Sequence, residues 1–111
     1  MIDEGIETVQ WDEIDQLIED GGMLIDVREP SEREAGFIKG SINIPLGEIR
    51  DRLDEIQNDQ SIYITCQVGL RGYLATRILT AHGYRVKNLD GGWKTYSAVF
   101  GSEDDELATL V

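Results

Sequence analysis

Cys66 is the single cysteine of this 111-residue chain, and the residues that follow it suggest what it can do. Without a second cysteine the chain forms no internal disulfide, and a thiolate metal site would lack partners, so no metal centre is expected. Two readings remain: a small apolar filler of the core, the commoner state of a free cysteine, or a nucleophile. The segment Thr65-Cys66-Gln67-Val68-Gly69-Leu70-Arg71-Gly72 favours the second. It joins an apolar run to a stretch of helical periodicity through a short loop with two glycines. Such a loop can turn its backbone N–H groups inward as a nest for an anion, and the N-terminus of the following helix adds partial positive charge. A thiol there, beside a cation such as Arg71, can have its pKa lowered from about 8.5 to between about 3.5 and 7.5, which favours the reactive thiolate. Gly69, in the middle of so tight a ring, is expected to need a positive φ or a close backbone approach.

The elements that must position this loop follow from hydrophobic period. Trp11, Ile14, Leu17 and Ile18 predict an amphipathic helix over 11–20 that stops at Gly21-Gly22. Met23 to Val27 predicts a buried strand, and Ile42-Asn43-Ile44 a shorter one. Ile49, Leu53 and Ile56 mark the inner stripe of another helix, and Ser61 to Thr65 predicts the third strand. Leu74, Ile78 and Leu79 predict a helix from about Arg71 to His82, with Gly83 ending it in the left-handed conformation. Arg85 to Leu89 is a fourth strand, and Trp93 to Phe100 a last short helix after the Gly91-Gly92 turn. Strands alternating with helices imply an α/β domain whose mainly parallel central sheet has helices on both faces. Ligands of open α/β sheets sit at the carboxyl ends of the strands, and Cys66 directly follows the third. The expected division is an N-terminal extension over 1–9, a domain over 10–100 and an acidic tail over 101–111.

Ten Lys and Arg against 22 Asp and Glu give a net charge of −12, which makes nucleic acid a poor partner. No apolar run approaches the about 18 residues that a membrane span needs, and Met1 to Glu4 shows no secretory pattern, so a cytoplasmic protein is expected. His82, the only histidine, falls near a predicted helix C-terminus and suits capping or surface duty. Trp11 is read as core, Trp93 as open between core and site border, and Glu29, Glu32 and Glu34 as a solvated face.

Asp26-Val27-Arg28-Glu29-Pro30, then Glu32, then Gly36-Phe37-Ile38-Lys39-Gly40-Ser41-Ile42-Asn43-Ile44-Pro45, resemble the opening signature of rhodaneses. Cys66 to Arg71 resembles the six-residue active loop of single-domain members, and Leu89-Asp90-Gly91-Gly92-Trp93 their closing motif. The resemblance runs from about Gln10 to Ala98. Gln10-Trp11, the wording from Cys66 to Tyr73, and Gly91 to Tyr96 are closer still to the rhodanese domain appended to flavin-dependent coenzyme A-disulfide and persulfide reductases. The resemblance implies a rhodanese-like fold and a sulfurtransferase. Cys66 would take sulfane sulfur from a donor as a persulfide and give it to a thiol or cyanide acceptor, and such a reductase would be a partner. Asp26 and Arg28 would brace the loop. No Gly-x-Gly-x-x-Gly is present, so no flavin or nicotinamide site is expected on this chain.

Two departures bear on the donor. Phe37 stands where many members have histidine, and no Lys or Arg lies between Cys66 and Leu70. A doubly charged donor such as thiosulfate would meet only Arg71 and backbone dipoles, so an organic persulfide or polysulfide is the better expectation. Two rivals stand beside this reading. A cysteine phosphatase needs a loop one residue longer to wrap a tetrahedral oxyanion; a non-enzymatic interaction module shares the fold but commonly lacks the cysteine, whereas a sulfur-sensing module would keep it.

Overall fold

Short runs of Ile, Val and Leu separated by glycines and helical segments become five parallel strands in the computed structural model, which describes residues 7–100. They are β1 (Thr8–Val9), β2 (Met23–Asp26), β3 (Ile42–Asn43), β4 (Ile62–Thr65) and β5 (Val86–Leu89), in the order β1-β5-β4-β2-β3. In the register, Ile25 pairs with Ile64, Asp26 with Thr65, and Ile64 with Asn88. Parallel neighbours require crossovers, which α1 (Ile14–Glu19), α2 (Pro30–Glu34), a 3₁₀ segment (Leu46–Glu55) and α3 (Leu70–Ala81) supply, and α4 (Gly92–Phe100) follows β5. The fold is the α/β arrangement expected from the sequence.

Successive side chains of a strand point to opposite faces, and this splits the core in two. Ile25, Val27, Ile62 and Ile64 pack with Ile49, Ile56, Ala75 and Leu79 under α3 and the 3₁₀ segment. Leu24, Tyr63 and Leu89 pack with Ile14, Trp93 and Tyr96 under α1 and α4. Trp93 is therefore a core residue, and Trp11 packs at the edge of the same cluster. Every residue of β4 is buried, so the strand that carries Cys66 at its end is the most enclosed of the sheet.

Several expectations change in detail. The first helix covers only Ile14–Glu19: residues 11–13 form a turn, in which the Glu13 carboxylate accepts the Gln10 N–H at 2.8 Å. Ile49, Leu53 and Ile56 line a 3₁₀ segment with a kink at Arg52, not a regular helix. Arg52 is held there by Glu48 and Glu55, while Tyr84 Oη donates to the Leu53 and Ile56 carbonyls at 3.1 Å. Thr8–Val9, within the segment set aside as an extension, pairs with β5; two residues are too few for a strand period to show in sequence. Short α2 has Pro30 at its start and a capping box in which Glu29 and Glu32 bond reciprocally. The acidic tail expected over 101–111 lies outside the described residues. No helix among the described residues is long and apolar enough to cross a membrane.

Candidate active site

Cys66 is buried at the carboxyl end of β4, where the chain turns into α3. Its Sγ accepts two backbone N–H groups, Gly69 at 3.0 Å and Gly72 at 3.2 Å. The loop thus curls round the sulfur as the glycine spacing suggested, and aims two backbone donors at it. Gly69 has φ +124°, and nothing lies within 4 Å of the place a Cβ would take, so backbone conformation alone favours glycine there. Val68 and Leu70, 58% and 62% exposed, present apolar side chains at the surface of the loop.

The start of α4 holds the loop from the other side. Trp93 N–H donates to the Cys66 carbonyl at 2.7 Å and Lys94 N–H to the Gln67 carbonyl at 2.9 Å. Helix N-terminal amides with no partner inside their own helix so become clamps on the backbone of Cys66 and Gln67. Gly92 makes the approach possible: it sits at φ +58°, and a Cβ on it would overlap the Cys66 carbonyl. Beneath the loop, Asn88 of β5 donates through Nδ2 to the Gly69 carbonyl at 3.4 Å. A Cβ on Gly72 would overlap Asn88 Oδ1, a buried atom that has no hydrogen-bond partner among the described residues. Asn88 therefore touches both residues whose N–H groups hold the sulfur.

Asp26 and Arg28 form a buried brace at the end of β2. The Asp26 carboxylate accepts the Arg28 backbone N–H at 3.0 Å, while Arg28 Nη2 reaches Asp26 Oδ2 at 2.9 Å and the Gly36 carbonyl at 2.8 Å. Arg33 adds a second cation to Asp26 at 3.3 Å and ties down Ser41. Two charge partners and several hydrogen bonds offset the cost of burying these ions. Arg28 also lies 5.4 Å from the centre of the Trp93 ring, and its Nη1 is 3.5 Å from Gln67 Oε1, so the brace touches both α4 and the loop.

Arg71 does not stand alone beside the loop. Its two Nη atoms grip the Glu32 carboxylate at 2.6 and 2.8 Å, so Glu32 belongs to this site and not to a solvated face. The Arg71 hydrogen bond holds the Glu32 carboxyl well below the ordinary range, at about 2. A carboxyl lowered on folding contributes stability in full above its unfolded value of 4.5, and that contribution disappears as pH falls towards about 2. With both side chains about one-third exposed, solvent screening limits the pair to about 1 kcal/mol. Urea unfolding of the native chain and Glu32→Gln is expected to show a small native advantage at pH 7 that shrinks at pH 3; a gap that is constant with pH would show that the carboxylate is not the source.

The structure brings Cys66, Gln67, Val68 and Gly69 into one loop, continues it through Leu70, Arg71 and Gly72 in the first turn of α3, and sets Arg28, held by Asp26, against it. It adds Glu32, Arg33, Asn88 and Gly92 to their surroundings. Glu32 had a sequence signal in the spacing of Glu29, Pro30 and Glu32, which is that of a capped helix start. Nothing local marked Asn88, which reads as one polar residue in a strand. Phe37, in the histidine position, is 47% exposed, with the Arg33 guanidinium 4.1 Å from its ring centre. His82 caps α3 and is exposed, away from the loop.

A parallel sheet with a cysteine-centred nest at a strand end defines a class, and residues 10–99 match the family described as rhodanese-like domain. This chain belongs to the rhodanese-like family. Among solved structures it is similar to reduced Bacillus anthracis CoADR-RHD, which contains the rhodanese domain of a CoA-disulfide reductase. The identity is 61% and the TM-score 0.85, over 88% of this chain and 18% of that one. It is 43% identical to the uncharacterized protein YqhL of Bacillus subtilis over 66% of this chain and 59% of that protein, and so spans little more than half of it. It is 30% identical to the human thiosulfate:glutathione sulfurtransferase over 83% of this chain and 94% of that enzyme.

Proposed function

We propose that this chain is a sulfurtransferase that carries sulfane sulfur on Cys66 as a persulfide. The observation that carries the reading is the placement of Cys66 Sγ at the focus of the Gly69 and Gly72 N–H groups, at a strand end in a family whose members include named sulfurtransferases. In the first half-reaction the thiolate attacks the outer sulfur of R–S–SH. A new Cys66 S–S bond forms, the donor S–S bond breaks, and R–S⁻ leaves with the electron pair. In the second, an acceptor thiolate attacks the outer sulfur of the Cys66 persulfide and releases the Cys66 thiolate. Each half-reaction balances without an external oxidant or reductant. The N–H donors stabilise negative charge on sulfur in both steps.

An organic persulfide or polysulfide is the preferred donor over thiosulfate, and a thiol or cyanide is the acceptor. The loop's only basic side chain is already paired with Glu32, and Val68 and Leu70 make its surface apolar. The likeness to CoADR-RHD, where a similar domain is a small part of a longer chain, supports a flavin-dependent disulfide or persulfide reductase as partner. A lone reactive cysteine fits the reducing cytoplasm. The phosphatase rival is disfavoured because Gly69 and Gly72 already close on the sulfur itself.

Intact-mass measurement after exposure to a low-molecular-weight persulfide is expected to show one added sulfur, removable by a thiol. A chain that keeps its mass under these conditions and under thiosulfate is not a sulfur carrier.

A further inference from the structure

We propose that Glu32 is a specificity-determining positioning residue. By engaging both Nη atoms of Arg71, it withholds that cation from the Cys66 loop and turns the site from dianionic donors towards persulfides with an uncharged body. The inference rests on the reading of Cys66 as a sulfur carrier and assigns donor choice to a residue outside the loop.

Arg71 is the only basic residue between Cys66 and Gly72, so the loop has one side-chain charge to offer an anionic donor. Both ends of its guanidinium meet one carboxylate oxygen each, at 2.6 and 2.8 Å, a bidentate geometry that leaves little net charge facing outward. Glu32 is not free to swing away. Its Oε1 also accepts the Glu29 backbone N–H at 2.9 Å, as the closing half of the capping box of α2. The carboxyl remains ionised throughout the neutral range. The arginines of the brace face inward: Arg28 and Arg33 share the buried Asp26 carboxylate, and Arg28 is itself buried. A donor entering past Val68 and Leu70 meets an apolar rim and a neutralised ion pair, with the Gly69 and Gly72 backbone N–H groups at the sulfur to receive charge. A single negative charge on a reacting sulfur suits two N–H donors. Thiosulfate brings a second charge, on a sulfonate, that finds no free cation in the loop.

Glu32→Gln tests this directly, because glutamine can still accept the Glu29 N–H and cap α2 while the negative charge is removed. The measurement is kcat/KM for sulfur transfer to a common thiol from two donors, thiosulfate and the persulfide of 2-mercaptoethanol. The ratio of the thiosulfate value to the persulfide value is expected to rise about tenfold in Glu32→Gln, mainly through a lower KM for thiosulfate, since one unscreened charge at close range is worth about that factor. Glu32→Ala, which also leaves Arg71 without its carboxylate, is expected to shift the ratio in the same direction and serves if the glutamine variant folds poorly. A merely structural role would depress both donors together. An unchanged ratio in a folded variant, or equal losses for both donors, overturns the assignment of specificity to Glu32 and leaves the sulfurtransferase reading intact. A native chain that takes sulfur from neither donor overturns both.

Discussion

Cys66→Ser is expected to abolish sulfur loading, by about 10³-fold or more, while the chain stays folded. The thiolate is the atom that forms the new S–S bond, and a serine oxygen cannot hold a sulfane sulfur for a later thiol to remove. Folding should be nearly indifferent, because the hydroxyl is close in size to the thiol and can accept from the same Gly69 and Gly72 N–H groups. A stability change within about 1 kcal/mol is expected from urea unfolding. Intact mass after exposure to a persulfide reads the chemistry, and circular dichroism reads the fold. Sulfur retained by folded Cys66→Ser would place the carrier elsewhere and remove the central reading of this loop.

The other large effect is expected from a residue that takes no part in the chemistry. Gly92→Ala should destabilise the domain by about 3 kcal/mol and slow sulfur loading at least about tenfold. Its φ of +58° is unfavourable for any residue with a Cβ, and the added methyl would overlap the carbonyl of Cys66 itself. That carbonyl is clamped by the Trp93 N–H at 2.7 Å, so relief requires the Cys66 backbone, the start of α4, or both to move. Gly83→Ala is the internal comparison. Gly83 also has a left-handed φ, +92°, but nothing lies within 4 Å of its Cβ position, so only conformational strain of about 1 kcal/mol is expected. The difference between the variants isolates the close approach. Equal losses of stability in both, with native loading in Gly92→Ala, would show that the contact with Cys66 has slack.

The parts of this protein that were legible in its sequence depend on short stretches of chain. The strand ending in Cys66 shows as an apolar run, α3 as a 3.6-residue period ended by Gly83, and the active loop as a cysteine and two glycines spaced for a nest. Strands alternating with helices imply parallel pairing, and the structure has it throughout the sheet. The failures also have local causes. A two-residue strand such as β1 carries no period, and the kink at Arg52 depends on a pair of glutamates gripping one arginine, which a helical stripe of Ile49, Leu53 and Ile56 does not reveal.

What the sequence by itself determined is the single cysteine, the glycine-spaced loop around it and the α/β class, because each follows from residue types a few positions apart. Only the tertiary structure decided that Glu32 takes the charge of Arg71, that Asn88 touches both Gly69 and Gly72, and that Gly92 presses on the Cys66 carbonyl. These partners lie 39, 19 and 26 positions apart, the last being the step from 66 to 92, and meet because parallel strands return each crossover to the same edge of the sheet. Chemistry-bearing residues are written locally, but the charge and backbone geometry they work under are set by whichever distant segment the sheet brings beside them.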